Sequence, residues 1–218
     1  MRIALINGSP KVKSSASGSL LGSLKSYVLA GDSTLGDVVE IGLHKGVLPE
    51  KALEQLENAD VLVFACPLYV DGIPAHLLSC LVQLEKTHWK KEALHVYGVV
   101  NCGFYEGIQA EFALDILRNW CVKSGVTWGG GIGVGGGGGL AQMPDVKGGH
   151  GPKAPVEHAL KGMAEKILKK EAQENVYVSV AFPRRLYKMA AQMGWRQMIK
   201  ANGGKAADLG KRPQCNKT

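Results

Sequence analysis

Long apolar runs are absent from this 218-residue sequence, since no stretch approaches the ~18 uninterrupted apolar residues of a membrane-spanning helix. The first residues, Met-Arg-Ile-Ala-Leu-Ile-Asn, lack the apolar segment and cleavage site of a secretory signal. Five cysteines are present, but there is no C-x-x-C pair and no Cys/His cluster at zinc-site spacing. We therefore expect a cytoplasmic protein with no integral membrane segment and no metal site, whose cysteines are reduced and mostly serve packing.

Positive charge is in excess but unevenly distributed. The sequence has 26 Lys and Arg against 19 Asp and Glu, a net charge of +7. From Ser179 onward there are nine Lys and Arg and a single acid, Asp208. Because the rest of the chain is nearly neutral, the basic character belongs to one tail, and we expect no nucleic-acid partner.

Short apolar runs alternate with segments of helical periodicity. The runs predict strands at 2–7, 38–41, 61–65, 95–100 and 126–134, and the periodic segments predict helices near 20–28, 49–57, 73–84, 107–123 and 156–168. This alternation predicts an α/β fold with a five-stranded parallel sheet and helices on both faces. In such sheets ligands bind beyond the carboxyl ends of the strands, so the loops after strands one, three and four are the candidate site.

The first of these loops, residues 7–18, has the composition of a phosphate site. It leads into a helix N-terminus, where unpaired backbone N–H groups and the positive end of the helix dipole favour an anion. The loop does not match G-x-x-x-x-G-K-[ST], so a phosphate monoester is favoured over a nucleoside triphosphate with Mg²⁺. The alternative is a plain Ser-rich turn with a helix-capping serine. The hydroxyl groups and cations of the loop at 7–18 are Ser9, Ser14, Ser15, Ser17, Lys11 and Lys13.

The other two loops offer apolar surface and close backbone approach. Residues 67–74 form a stiff turn in which Leu68 and Tyr69 could lie against a ring, although Tyr69 could equally cover the end of the sheet. In residues 101–107, Gly103 and Gly107 permit close approach to a ligand. Cys102 is interpreted as a packing residue rather than a reactive thiol.

Together the three loops resemble those of the flavodoxin-like, FMN-binding NAD(P)H oxidoreductases, a group that includes NADPH-dependent FMN reductases and quinone reductases. The resemblance covers about residues 1–168 and is carried by Asn7-Gly8-Ser9-Pro10-Lys11 with Ser15-Ala16-Ser17, by Pro67-Leu68-Tyr69, and by Asn101-Cys102-Gly103-Phe104-Tyr105-Glu106. It implies a flavodoxin-like three-layer sandwich with strand order 2-1-3-4-5. We expect a flavodoxin-like FMN-binding domain at 1–172 and a basic C-terminal extension at 173–218.

The resemblance also implies a cofactor site. Ser9, Ser15, Ala16 and Ser17 would hold the FMN phosphate, and Lys11 and Ser17 stand where many relatives carry Arg and Asn-Thr. Pro67, Leu68, Tyr69 and Val70 would line the isoalloxazine ring, and Asn101, Cys102, Gly103, Phe104 and Tyr105 would contact its pyrimidine side.

The implied activity is hydride transfer from NADH or NADPH through FMN to a quinone or another small-molecule acceptor of low specificity, in a homodimer. No catalytic acid or base is required, and His76 and His88 are interpreted as solvated surface residues. Two alternatives stay open: a flavodoxin-like electron carrier, and a non-enzymatic binding module that has lost FMN.

Two segments fall outside this scheme. Residues 131–136 formally match G-x-G-x-x-G, but a run so rich in glycine matches by accident and lacks the following helix, so we interpret it as the last strand and its flexible loop. The alternative is a disordered surface loop.

Residues 183–200 predict a basic amphipathic helix, for which packing on the domain or on a dimer partner is favoured over an anionic membrane surface.

Overall fold

The computed structural model describes residues 1–35, 37–87, 89, 93–140 and 151–212. The strands within these residues are β1 (Arg2–Asn7), β2 (Asp37–Gly42), β3 (Val61–Pro67), β4 (His95–Asn101), β5 (Thr127–Val134) and β6 (Val176–Val178). The α-helices are α1 (Ala16–Gly31), α2 (Glu50–Glu57), α3 (Ala75–Leu84), α4 (Glu111–Lys123), α5 (Gly137–Leu140), α6 (Ala154–Lys169) and α7 (Arg184–Ala201). Short 3₁₀ turns cover Gly107–Ala110 and Ala206–Gly210.

The strands form one parallel sheet in the order β2-β1-β3-β4-β5-β6. The predicted α/β architecture and the order of the first five strands are confirmed, but the count of five strands is wrong. Strand β6 adds a sixth, pairing Val176 with Ile132 and Val178 with Val134. Three residues are too few to show the alternation that identifies a strand in a sequence, so β6 is defined only by its pairing with β5.

The side chains of alternate strand residues enter two separate layers. On one face α2, α3 and α4 bury a core in which the rings of Phe64 and Trp120 meet edge to face at 5.7 Å. On the other face α1 and α6 pack against each other and against the sheet. There the buried Tyr97 hydroxyl donates to the carbonyl oxygens of Lys166 (3.2 Å) and Glu171 (2.9 Å), which ties β4 to the end of α6.

The described chain divides into two compact units, residues 1–181 and residues 182–218. The first contains the whole sheet and helices α1 to α6. The second contains α7 and the turn at Ala206–Gly210, and none of the residues of α7 is buried. Among the described residues, no helix combines the length and the apolar character needed to cross a bilayer.

Candidate functional site

Three loops meet at the carboxyl edge of the sheet. Asn7, at the end of β1, pairs with Ala65 of β3, and Pro67 at the end of β3 pairs with Asn101 at the end of β4. The loops predicted from the sequence to form a site are therefore neighbours. Strand β1 lies between β2 and β3, so the chain reverses its direction of winding at this point, which is where open α/β sheets bind ligands.

The side chain of Asn7 organises the first loop. Its Oδ1 accepts a hydrogen bond from the Ser9 backbone N–H (3.0 Å), and its Nδ2 donates to Ser15 Oγ (3.2 Å). Ser15 is the N-cap of α1, and its Oγ also accepts from the Gly18 N–H (3.0 Å). Ser9 Oγ accepts from the Lys11 N–H (3.2 Å). The loop is thus fixed by its own polar groups before any ligand arrives.

Four buried Ser and Asn side chains lie in or beside this loop. Aromatic rings and thiols apart, they are the only buried polar side chains in the part of the chain that the structure describes: Ser9, Ser15, Ser17 and Asn101. Ser17 Oγ donates to Asn101 Oδ1 at 2.7 Å, which ties the first turn of α1 to the end of β4. Buried polar groups are costly unless they are hydrogen-bonded, so this concentration marks the edge as the specialised region of the domain.

The hydrogen bonds leave several donors of the loop unused. Ser9 and Ser15 use their hydroxyl oxygens as acceptors in these bonds, so each O–H proton is still available to a ligand. Ser17, in contrast, donates its hydroxyl proton to Asn101 Oδ1, so this proton is not available to a ligand. The backbone N–H groups of Ala16 and Ser17 lie in the first turn of α1 and have no acceptor within the helix.

Two histidines contact the same loop from outside. His44 Nδ1 lies 2.6 Å from the Ser9 carbonyl oxygen, and His76 Nε2 lies 3.1 Å from the Gly8 carbonyl oxygen. Since a carbonyl can only accept, each of these ring nitrogens donates. His76 is therefore a partly buried support of the loop rather than a solvated surface residue, and His44 was not identified from the sequence at all. His88 lies outside the described residues.

The second loop contains a strained turn. Tyr69 and Gly72 exchange backbone hydrogen bonds of 2.9 and 3.1 Å, and the two residues between them, Val70 and Asp71, have φ values of +48° and +60°. A β-branched residue in this left-handed region is a true outlier. Such strain tends to collect at functional sites. The turn presents Tyr69, 47% exposed, and a fully exposed Val70, while Leu68 N–H donates to the Asn101 carbonyl oxygen.

The third loop has a buried thiol and an exposed ring. Cys102 Sγ donates weakly to the carbonyl oxygens of Phe104 and Glu106. Desolvation by burial is the main reason that the pKa of the Cys102 thiol is raised, and the charge of Glu106 raises it further. A buried thiol whose pKa is raised is a poor nucleophile, which agrees with a packing role. The Phe104 ring, by contrast, is 57% exposed.

The Gly-rich run supports this third loop. Gly136 N–H donates to the Phe104 carbonyl oxygen (2.6 Å), and Gly137 N–H donates to the Cys102 carbonyl oxygen (2.7 Å). A Cβ atom at Gly135 would collide with the carbonyl oxygen of Tyr105. Glycine is therefore required here for close backbone contact rather than for dinucleotide binding. A single helical turn, α5, follows the run, where the sequence predicted no helix; residues 141–150 lie outside the described part.

Comparisons with known proteins bear on the fold. No family model matches the sequence, and no curated protein matches it either. Among solved structures, an apo NADH:FMN oxidoreductase superposes with a TM-score of 0.57 at 18% identity, covering 79% of this chain and 91% of its own. A flavodoxin of Streptococcus pneumonia TIGR4 gives 0.54 at 15% identity, covering 77% and 99%. An azoreductase from Bacillus anthracis str. Sterne gives 0.52 at 20% identity, covering 78% and 100%.

Each of these structures is similar to more than three quarters of this chain, and at identities below 25% the similarity concerns the fold. The chain therefore has a flavodoxin-like fold, as the resemblance of its three loops implied.

Proposed function

We propose that this protein is an FMN-dependent oxidoreductase that takes hydride from NADH or NADPH and passes it to a quinone or another low-specificity small-molecule acceptor. The proposal rests on one observation. Aromatic rings and thiols apart, every buried polar side chain of the described residues lies at the carboxyl edge where three loops converge. The flavoprotein names among the structures of the same fold are consistent with it.

The donor set of the first loop fits a phosphate monoester. Ser9 and Ser15 keep hydroxyl protons available, the first turn of α1 supplies unpaired N–H groups, and Lys11 and Lys13 are exposed cations. The loop contains no carboxylate. In the proposed site, Ser9, Lys11, Ser15 and the Ala16 and Ser17 amides hold the phosphate, while the Ser17 hydroxyl holds Asn101 in place.

The second and third loops fit a planar ring system. Tyr69, Val70 and Phe104 are apolar and exposed beside the edge, and a flavin ring would cover such surface. Pro67 and Leu68 continue this surface, and Asn101, Cys102, Gly103 and Tyr105 would contact the pyrimidine side of the ring together with Phe104. FMN, when bound, would supply the centre that accepts and donates hydride, and the protein would bind and orient it.

The cofactor assignment is tested by adding FMN to the purified protein and recording absorption and flavin fluorescence. We expect a stoichiometric complex. The variant Lys11→Glu/Lys13→Glu should bind FMN at least roughly tenfold more weakly, because two exposed cations become anions near a phosphate. The matched control Lys51→Glu/Lys161→Glu changes the same charge at exposed positions of α2 and α6 and should bind normally. No complex at micromolar FMN would refute the proposal.

The enzymatic assignment is tested separately. Anaerobic NADH or NADPH should bleach the bound flavin rapidly, and a quinone should restore it. A complex that binds FMN but is not reduced by either nucleotide would instead support an electron carrier, and a fold that binds no flavin would support a binding module.

Dimerisation and location complete the proposal. We propose a homodimer because α3 and the start of α4 expose large apolar side chains, Val82 and Phe112 among them; light scattering after size-exclusion chromatography tests it. We propose a cytoplasmic location because Cys66, Cys80 and Cys121 are buried free thiols of the kind that reducing compartments preserve. We propose no nucleic-acid partner because the basic excess is confined to the C-terminal tail and the rest of the chain is nearly neutral. Cell fractionation tests the location.

A further inference from the structure

The excess positive charge of the protein lies entirely in its second unit. Residues 182–218 contain nine Lys and Arg against Asp208, a net +8, whereas residues 1–181 contain 17 basic and 18 acidic residues, a net −1. Helix α7 alone has five basic residues and no acidic one. The only acid of the unit is paired with Lys211 at 2.7 Å. This unit therefore carries a strong, local attraction for anions.

Helix α7 also presents an apolar stripe to solvent. Leu186, Met189, Ala190 and Met193 follow the i, i+3, i+4, i+7 pattern that places side chains on one side of a helix. Leu186, Met189 and Met193 are 44%, 56% and 54% exposed. An amphipathic helix of a globular protein normally buries such a stripe, so this one is suited to a surface outside the chain.

The opposite side of α7 also carries apolar side chains. Trp195, Met198 and Ile199 line a shallow pocket together with Leu209 from the Ala206–Gly210 turn, although Trp195 and Met198 remain 50% and 57% exposed. No residue of the Leu186–Met193 stripe lines this pocket.

Three of the five basic side chains of α7 border the stripe, whereas Arg184 and Lys188 lie on the opposite side of the helix. At 100° per residue, Arg185, Arg196 and Lys200 lie within about 90° of its centre. Long Arg and Lys side chains can extend past an apolar surface and keep their charges at its rim. The helix thus combines an apolar surface with a cationic rim along one side.

We infer that α7 docks on an anionic phospholipid bilayer, lying in the plane of the headgroups with the Leu186–Met193 stripe in the acyl boundary and Arg185, Arg196 and Lys200 against lipid phosphates. Exposed Leu and Met together with flanking cations are the features that bind an interfacial helix to such a surface. The inference concerns α7 alone and does not depend on the proposed redox function.

Other partners use only half of these features. A nucleic acid would neutralise the cations but leave the apolar stripe in water. A second copy of the unit would cover the stripe but would bring one net charge of +8 against another. An anionic bilayer satisfies both features at once, so with the stripe exposed we prefer it to the packing on the domain or a dimer partner that the sequence alone favoured.

The test is sedimentation of the full-length protein with sucrose-loaded vesicles. At low salt we expect binding to vesicles of phosphatidylcholine with phosphatidylglycerol, little binding to phosphatidylcholine alone, and release as salt is raised. Arg185→Gln/Arg196→Gln should lower the partition coefficient roughly tenfold or more. Met189→Ser/Met193→Ser should lower it by a similar factor, since two apolar side chains leave the acyl boundary.

Matched controls change the same chemistry on the first unit. Lys51→Gln/Lys161→Gln removes two exposed charges, and Val122→Ser removes a side chain that is 76% exposed on α4; both should bind vesicles like the parent. Circular dichroism checks that α7 persists in each variant. No binding at low salt, or equal binding to neutral vesicles, overturns the inference.

A split between the two variants also overturns it. If the Arg variant loses binding and the Met variant keeps it, the surface is a polyanion site rather than a bilayer-docking helix. Fluorescence anisotropy with a labelled duplex DNA then measures that alternative directly.

Discussion

Removing the hydroxyl of Ser17 tests the link between the first and third loops. Ser17 Oγ and Asn101 Oδ1 are 2.7 Å apart, and the two residues are 1% and 7% exposed. The substitution Ser17→Ala deletes the donor and leaves the Asn101 carbonyl oxygen buried without it. The backbone N–H of residue 17, which we propose contacts the phosphate, is unchanged.

The size of the effect follows from burial. Losing one hydrogen bond costs about 0.5–1.5 kcal/mol, and leaving a buried acceptor unsatisfied costs about 1–3 kcal/mol. Alanine has a higher helix propensity than serine, which returns a few tenths of a kcal/mol. We therefore expect Ser17→Ala to lower the free energy of unfolding by about 1–2 kcal/mol. Because Asn101 would no longer be held against α1, FMN binding should weaken as well.

Urea unfolding followed by circular dichroism measures the stability change. The matched control is Ser26→Ala, in the same helix, where an exposed hydroxyl donates to the Gly22 carbonyl oxygen at 3.1 Å; its effect should stay within about 0.5 kcal/mol. Equal effects of the two substitutions would show that the Ser17–Asn101 bond contributes nothing special. An unchanged FMN affinity in a destabilised Ser17→Ala protein would separate the bond's structural role from the cofactor site.

Three further outcomes are expected. Val70→Gly should raise the free energy of unfolding by up to about 1 kcal/mol in urea titrations. Glycine relieves the roughly 1–2 kcal/mol of backbone strain that a left-handed valine stores, and the fully exposed Val70 side chain has no packing to lose. A lower free energy of unfolding would contradict the strained turn. Gly135→Ala should destabilise by about 2 kcal/mol or more in the same assay, because its Cβ would meet the Tyr105 carbonyl oxygen; a neutral effect would contradict that close contact. Burial, with a smaller contribution from the Glu171 charge, raises the pKa of Tyr97 to about 12. In the unfolded chain the Tyr97 phenol has a pKa near 10, so its contribution to the free energy of unfolding is present below pH ~10 and is lost toward pH 12, by at most about 3 kcal/mol. A Tyr97→Phe protein should lose less of its free energy of unfolding between pH 9 and pH 11.5, as measured by unfolding titrations at the two pH values.

The sequence predicted the sheet well because its central strands are buried on both faces. Val61–Ala65 and Val96–Val100 are continuous runs with almost no polar residue, which is typical of strands buried on both faces of a sheet. The same logic located the three loops, since strand order determines which strand ends are neighbours. Strand β6 was missed because its three residues have no pattern of their own and become a strand only beside Ile132 and Val134.

The supporting residues of the candidate site could not be found in the same way. His44 lies 35 positions from Ser9 along the chain, and only the position of β2 beside β1 brings them together. Likewise, the Ser17–Asn101 bond spans 84 positions. Contacts of this kind depend on the tertiary arrangement, whereas motifs such as Asn7-Gly8-Ser9-Pro10 are local and can be identified directly.

The Gly-rich run shows how a local motif can mislead when its partner is not known. Taken alone, Gly131–Gly136 matches a dinucleotide fingerprint, whose glycines bring the backbone close to a pyrophosphate. In the structure the close partner is the chain's own backbone, since Gly135 faces the Tyr105 carbonyl oxygen and Gly136 binds the Phe104 carbonyl oxygen. The absence of side chains at Gly135 and Gly136, in the turn after β5, therefore allows the third loop to pack closely beside the edge. The glycines that resemble a ligand site therefore contact the third loop instead of a ligand, and they hold the loop that would contact the ring.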